Sequence, residues 1–221
     1  MLATQGLFIS FEGIDGAGKS THIDAVRRAF EEVGRRVTLT REPGGTPLAE
    51  QLRNMVLNDP MDAMTEALLV FAARRDHVQK VIAPALRRGD VVLCDRFSDA
   101  SFAYQGAGRG FDWNMLETLE TWVQGQETLP SAVSKDRVLK PHATIWFDLP
   151  PSVAATRLAG ARVPDKFESQ SQAFFEQVAS GYARRAHADP DRFVRINADQ
   201  TPQEVREAVM SALRFRGYLQ P

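Results

Sequence analysis

The chain has 221 residues, 43% of them hydrophobic, and a net charge of −1, which is enough apolar material to bury a proper core in one domain. That near-neutral balance excludes a nucleic-acid binder working by blanket phosphate neutralisation, so no polynucleotide partner is expected. No apolar stretch is long enough to span a bilayer, Met1-Leu2-Ala3-Thr4-Gln5 has no charged lead into a signal peptide, and the lone Cys94 excludes an internal disulfide, so a cytoplasmic protein without a membrane partner is expected.

The first apolar run, Leu7-Phe8-Ile9-Ser10-Phe11, predicts a buried strand over 7–12. Ile23, Val26, Phe30 and Val33 recur at helical spacing and predict a helix over 19–33. Between them stands Gly13-Ile14-Asp15-Gly16-Ala17-Gly18-Lys19-Ser20, followed by Thr21, which is a P-loop in the strand, turn and helix context it needs. Its glycines let backbone N–H groups curl around a β-phosphate, Lys19 reaches the β/γ oxygens, and the Ser20 hydroxyl suits Mg²⁺. A nucleoside triphosphate is therefore the expected donor, with the acceptor left open.

Further strands are predicted over 36–40, 91–95, 143–148 and 193–196. Helices are predicted over 47–57, 65–87, 113–124, 151–159, 171–186 and 202–215, an alternation that suits a parallel α/β sheet. No internal repeat or Gly/Pro/Ser-rich linker divides the chain, so residues 1–221 are read as a single domain. Residues 125–142, of mixed charge and little periodicity, are read as a long surface connection.

In such sheets ligands bind beyond the carboxyl ends of the strands, where the other polar signals gather. The second strand runs into Thr40-Arg41-Glu42-Pro43-Gly44-Gly45-Thr46, which sets a guanidinium fork beside a turn that approaches a ligand closely. Phe71 lies about one helical turn from Arg74 and Arg75, an arrangement that could stack a base and donate to its carbonyl, or simply pack in the core. Cys94 sits inside Val91-Val92-Leu93-Cys94 and reads as a small core residue. Beyond it, Asp95 could hold Mg²⁺ through water and Arg96 could meet a phosphate, or the two could form a local salt bridge. Ala103-Tyr104-Gln105-Gly106-Ala107-Gly108-Arg109-Gly110 is a glycine-rich stretch in which Gln105 could read a pyrimidine edge, unless it is an ordinary loop. Arg157 to Glu168 mixes cations with Gly and Pro breakers and reads as a hinged lid over about 157–170.

The set Phe11-Glu12-Gly13, Thr40 to Thr46, Asp95-Arg96-Phe97, Ala103-Tyr104-Gln105-Gly106 and Asp165-Lys166-Phe167-Glu168 resembles, in order and over nearly the whole chain, the bacterial thymidylate kinases. The resemblance implies a three-layer P-loop kinase fold with a five-stranded parallel sheet flanked by helices, a homodimer, and transfer of the ATP γ-phosphoryl to dTMP with Mg²⁺, for dTTP synthesis. By the same resemblance Gly13 to Thr21 would serve ATP, with Lys19 and Ser20 at the phosphates and metal. Arg41 and Arg96 would clamp the acceptor phosphate, with Asp95 at the metal and acceptor. Phe71 would stack on thymine, Arg74 would bond O4, Gln105 would read the base edge, Tyr104 would crowd the 2′ position, and Asp15 would face the sugar and phosphate end of the acceptor. Glu12, Pro43 and Ser101 would complete the acceptor site.

The chain departs from the family pattern in three places. The family sets its stacking phenylalanine four residues before its conserved arginine, which puts Val70 there if Arg74 is the match, whereas pairing Phe71 with Arg75 restores the spacing; both pairings are open. Ala159 and Ala161 stand where the bacterial lid carries arginines and Lys166 replaces a later one, so with Asp15 in the P-loop the catalytic arginine would be Arg157 or Arg162. Residues 125–142 are also longer than the family's usual connection. Two alternatives to dTMP phosphorylation remain: a kinase of another monophosphate or small metabolite, and a GTPase-like switch, for which the chain lacks a guanine-reading Asn-Lys-x-Asp segment.

Overall fold

The structure is a computed structural model that describes residues 5–125, 138–158, 166–167 and 169–219. Strands β1 (Leu7–Glu12), β2 (Val37–Arg41), β3 (Val91–Asp95), β4 (Ala143–Asp148) and β5 (Phe193–Asn197) form one sheet in the order β2-β3-β1-β4-β5. Every ladder is parallel, with Phe11 beside Asp95 and Arg41 beside Asp95 at the carboxyl ends. The apolar runs of β1, β3 and β4 are buried because these strands are interior, whereas β2 and β5 lie at the edges and are partly exposed. The chain passes from β1 to one edge and later from β3 to the far side of β1, so β1 and β3 flank the switch point where such sheets hold ligands.

Helices cover both faces. Alternate β1 residues Leu7, Ile9 and Phe11 pack with Val26 and Phe30 of α1 (Lys19–Glu32) and with Val205, Val209 and Leu213 of α9 (Pro202–Phe215). On the other face Phe8 packs with Val92, Cys94 and Phe97 and with Val78, Ile82 and Leu86. The long helix expected over 65–87 begins slightly earlier as α3 (Ala63–His77), because the Asp62 carboxylate accepts from the N–H groups of Met64 and Thr65. It continues through a π-helical turn (Val78–Ile82) into α4 (Ala83–Arg87). Helices α2 (Pro47–Asn58), α6 (Trp113–Gln124), α7 (Pro151–Leu158) and α8 (Gln172–Ala188) lie close to their expected positions, and Thr46, Asp112 and Ser171 cap α2, α6 and α8.

One alternative is set aside and one expectation is corrected. The ordinary loop offered as the alternative for 103–110 does not describe most of it: α5 (Ser98–Ser101) runs into a π-helical segment (Phe102–Gly108) packed against α8. Glycine is required at that contact, since a Cβ on Gly181 of α8 would come within 2.8 Å of the Ala103 Cα. Nor is all of 125–142 a surface connection. Gly125 and Val138 form an antiparallel bridge, Leu139 is fully buried, and the His142 Nδ1 accepts from the Phe8 N–H at 2.9 Å. Residues 126–137 lie outside the described residues.

Candidate active site

The P-loop is held from behind by its apolar residues. Ile14 and Ala17 are buried in the core, which leaves the backbone of 13–18 to face outward. Gly13 has φ 138°, and a Cβ there would meet the Phe147 carbonyl at 2.5 Å, so only glycine fits. Gly18 caps α1, which places Ser20 and Thr21 in its exposed first turn, where unpaired N–H groups and the helix dipole favour anions. The Lys19 ammonium donates to the carbonyls of Gly13 at 3.1 Å and Ile14 at 3.2 Å. Burial and the neighbouring Arg96 charge lower its pKa, against the opposing pull of Asp15, Asp95 and Glu12. An open groove runs over this loop, lined by Asp15, Gly16, Gly18, Lys19, Ser20 and Thr21 and bordered by Arg41, Asp95, Arg96 and Arg157.

A second cavity opens beside it. Arg96 is its pivot, in a left-handed backbone conformation with φ 66°. That turn is fixed by Glu12, whose Oε1 accepts from the Phe97 N–H at 2.7 Å while its Oε2 accepts from the Tyr182 hydroxyl at 3.1 Å. The Arg96 guanidinium donates to the Gly13 carbonyl (2.8 Å), the Tyr182 hydroxyl (3.0 Å), the Asp15 carboxylate (2.6 Å) and the Tyr104 hydroxyl (3.1 Å). Burial pushes the Asp15 carboxyl up, but the charges of Arg96 and Lys19 and the hydrogen bonds from Arg96 and Tyr104 outweigh it and hold Asp15 below the usual carboxylate range. Arg74 closes the far wall, donating to Glu42 (2.7 Å) and Ser101 (2.8 Å), while its buried Nη1 has no hydrogen-bond partner among the described residues.

Glu12 sits behind this pivot and gives the site a pH dependence. Burial first, and the Asp99 charge second, push its carboxyl up to about 8, with Arg96, the Phe97 N–H and Tyr182 pulling the other way. Because the folded state keeps a proton that the unfolded chain releases near its ordinary value of 4.5, stability falls as pH rises between about 4.5 and 8. The E12Q variant lacks this loss, so the stability difference (wild type minus E12Q) should decline by at most ~1.4 kcal/mol per pH unit across that window. Urea unfolding from pH 5 to 8 measures it; a difference that rises with pH contradicts the assignment.

The two spaces share a wall: Asp15, Glu42, Arg53 and Arg96 line both. A groove over a P-loop joined through an arginine to a second polar-ended cavity is the layout of a donor site facing an acceptor site. Comparison with known proteins points the same way. The family-wide sequence pattern described as thymidylate kinase matches residues 11–209. The chain belongs to the thymidylate kinase family.

Proteins named thymidylate kinase from Polaromonas sp. and Albidiferax ferrireducens are each 63% identical to it, over 97% and 99% of this chain and 99% and 100% of theirs. The crystal structure of thymidylate kinase from Ehrlichia chaffeensis matches with a TM-score of 0.72 and 31% identity, over 95% of this chain and 99% of that one. A thymidylate kinase fold thus accounts for the sheet order, the P-loop and the paired cavities together.

Within this thymidylate kinase family member, Pro43, Arg74, Arg96, Ser101, Tyr104 and Gln105 come together around the second cavity with Asp15. Other expected residues do not. Glu12 was expected at the acceptor, but it is fully buried beneath the Arg96 turn and lines neither space. Arg41, expected to clamp the acceptor phosphate, borders only the P-loop side. Strand alternation explains this: Thr40 meets His77 of α3 at 2.6 Å on one face, so Arg41 points to the other, where it pairs with Glu50 at 2.8 Å. Phe71, expected on the base, is buried in a separate cluster with Ala67, Phe102, Leu116 and Leu119, and Arg75 donates to the Val123 carbonyl of α6. Glu66, Val70 and Arg74 form the neighbouring stripe of α3, and Val70, not Phe71, lines the cavity beside Arg74.

Asp95 and Ser20 both border the P-loop side, and the buried Asp95 Oδ1 has no hydrogen-bond partner among the described residues. Arg157 reaches the groove from α7, donating to the Ala198 carbonyl at 3.1 Å, whereas Arg162 and most of the expected lid lie outside the described residues. Three contributors were given no site role by sequence reasoning: Arg53 of α2, whose Nη1 donates to the Pro43 carbonyl at 2.9 Å, Tyr182 of α8, and Phe167, edge-on to Tyr104 at 5.6 Å. Arg53 and Tyr182 carry no local signal, since each looks like an ordinary helix residue until the chain is folded; Phe167 stood in the Asp165-Lys166-Phe167-Glu168 segment but was given no site role.

Proposed function

We propose that this protein transfers the γ-phosphoryl group of ATP to dTMP, giving dTDP for dTTP synthesis in the cytoplasm, with Mg²⁺ as cofactor. The observation that carries the reading is the shared wall of Asp15, Glu42, Arg53 and Arg96 between the P-loop groove and the second cavity. A phosphate monoester is largely dianionic at neutral pH, with a second pKa of ~6, so the attacking oxygen needs no general base. The site has to supply cation density and alignment. Lys19 serves the donor phosphates, Arg96 and Arg53 bracket the acceptor phosphate, and Arg41 serves the donor side rather than the acceptor. Arg157, with Arg162 from the lid, supplies the remaining positive charge.

The unpartnered Asp95 Oδ1 and the Ser20 hydroxyl are hard oxygen donors that fit Mg²⁺, Asp95 through water. When bound, the metal supplies further neutralisation of the phosphate charge. At the base end Leu57, Val70, Phe97 and Phe167 form apolar walls suited to a methylated pyrimidine. The free N–H of Arg74 Nη1 suits the thymine O4 carbonyl, Gln105 reads the base edge, and the Tyr104 ring crowds a ribose 2′-hydroxyl.

The homodimer belongs to this proposal. Leu48 and Met55 of α2, Met64 and Leu68 of α3, and Met115 and Trp122 of α6 are exposed apolar residues at helical spacing on helices that pack together. Trp122, 73% exposed, is the strongest sign that this surface is covered by a second copy. Among the described residues no helix is long and apolar enough to cross a membrane.

The test is ADP release with ATP, Mg²⁺ and a panel of acceptors. Losing the thymine methyl costs ~1–3 kcal/mol, so kcat/KM for dUMP should fall roughly 10–200-fold below dTMP. Replacing O4 by an amino group strands buried donors, so dCMP should fall by on the order of 10⁴. No stimulation by dTMP sinks the proposal, turnover of dCMP equal to dTMP sinks the base assignment, and release without any acceptor favours an NTPase switch.

A further inference from the structure

Glu66 is a fully buried carboxylate in the first turn of α3, and it lines neither cavity. Its Oε1 accepts from the Gln105 Nε2 at 3.1 Å, and its Oε2 accepts from the Lys166 ammonium at 2.9 Å. Arg109 Nε lies 3.5 Å from the same Oε2, while its Nη2 donates to the Met61 carbonyl at 3.0 Å. Lys166 also donates to the Val56 and Asp59 carbonyls at the end of α2. One acid is thus gripped by two cations and spends its remaining oxygen on a side-chain amide that lines the acceptor cavity.

We propose that Glu66 is a positioning residue for base selection: its carboxylate, held by Lys166 and Arg109, fixes which end of the Gln105 amide is presented to the base. The reason is donor and acceptor bookkeeping at the amide. A primary amide has two nearly isosteric ends, one donating and one accepting, and its shape alone does not choose between them. A carboxylate held against two cations only accepts, so the Gln105 NH₂ must turn toward Glu66 and its oxygen is left for the cavity. That oxygen accepts from the N3–H of thymine or uracil, whereas cytosine offers an unprotonated N3 that meets it acceptor to acceptor. The selectivity against cytosine at N3 therefore originates one residue behind the cavity wall.

The inference rests on the dTMP reading, and the experiment separates the two. In E66Q the neutral amide both donates and accepts, so Gln105 is free to turn and offer its NH₂ to cytosine. The ratio of kcat/KM for dTMP over dCMP should fall at least ~10-fold relative to wild type, with KM for ATP unchanged. Because E66Q alone strands buried cations, the E66Q/K166M variant removes the Lys166 pair as a unit and should show the same loss of discrimination. Folding is checked by thermal unfolding, since a purely structural role would lower stability or kcat for both acceptors without moving their ratio. A folded E66Q or E66Q/K166M protein with unchanged discrimination overturns the inference. A wild-type protein inactive with dTMP overturns the dTMP reading instead. In that case the ¹⁵N side-chain amide signal of Gln105 still decides its orientation, since a hydrogen-bonded signal unchanged in E66Q overturns the positioning role.

Discussion

Replacing Arg96 by alanine is expected to lower kcat/KM for dTMP by on the order of 10³-fold while ATP binding persists. Arg96 joins the acceptor cavity to the P-loop by four hydrogen bonds, to Gly13, Asp15, Tyr104 and Tyr182. On the proposed reading it is the charge that lies between donor and acceptor, since it lines both spaces. The R96G variant separates charge from backbone. Among the described residues Arg96 is the non-glycine position with positive φ, and glycine relieves a left-handed strain of roughly 1–2 kcal/mol. R96G should therefore be more stable than R96A yet equally inactive. Acceptor titrations and nucleotide binding by calorimetry measure both; turnover within tenfold of wild type in either variant removes Arg96 from the chemistry.

Arg74→Met is expected to cost stability as well as selectivity. The Arg74 and Glu42 side chains are 1% and 2% exposed, and breaking a buried pair leaves an uncompensated charge at ~3–5 kcal/mol. Burial pushes the Glu42 carboxyl up, but Arg74 and His77 outweigh it and hold it below the usual carboxylate range. His77 Nδ1 lies 2.9 Å from Glu42 and still faces it in R74M, which puts the cost at the lower end, a fall in unfolding temperature of about 6–12 °C for a domain this size. The double variant E42Q/R74M should recover at least ~1 kcal/mol, because it removes the pair together. R74M should also lose on the order of 10²-fold in kcat/KM for dTMP, since the unpartnered Nη1 is the donor assigned to O4. An unchanged melting temperature contradicts the pairing role, and activity within twofold of wild type contradicts the O4 role.

How legible a residue was in the sequence followed from how locally its partner was defined. The P-loop needs only its own glycines and the helix that follows, so residues 13–21 were readable without a fold. Asp95 and Arg96 were readable because they end an interior strand, and interior strand ends are where ligands gather. Arg41 was legible as a polar residue at a strand end, but not which of the two spaces it borders. Which of two alternating faces it occupies depends on Thr40 meeting His77, a contact across thirty-seven positions of chain. The choice between Val70 and Phe71 turned on which stripe of α3 meets α6 and which meets the sheet end.

The sequence by itself determined the class of protein: a parallel α/β chain with a triphosphate loop and the marks of the thymidylate kinase family, because strand alternation, helical periodicity and a contiguous motif are all local patterns. Only the tertiary structure decided the acceptor wall. Arg53 from α2, Tyr182 from α8 and Phe167 each meet it from a distant part of the chain. It also decided that Glu12 supports the site from beneath, and that the Gly-rich stretch is a buried helix carrying Gln105 against Glu66. Such roles depend on which side chain a residue faces after folding, and residue type and spacing along the chain do not specify that partner.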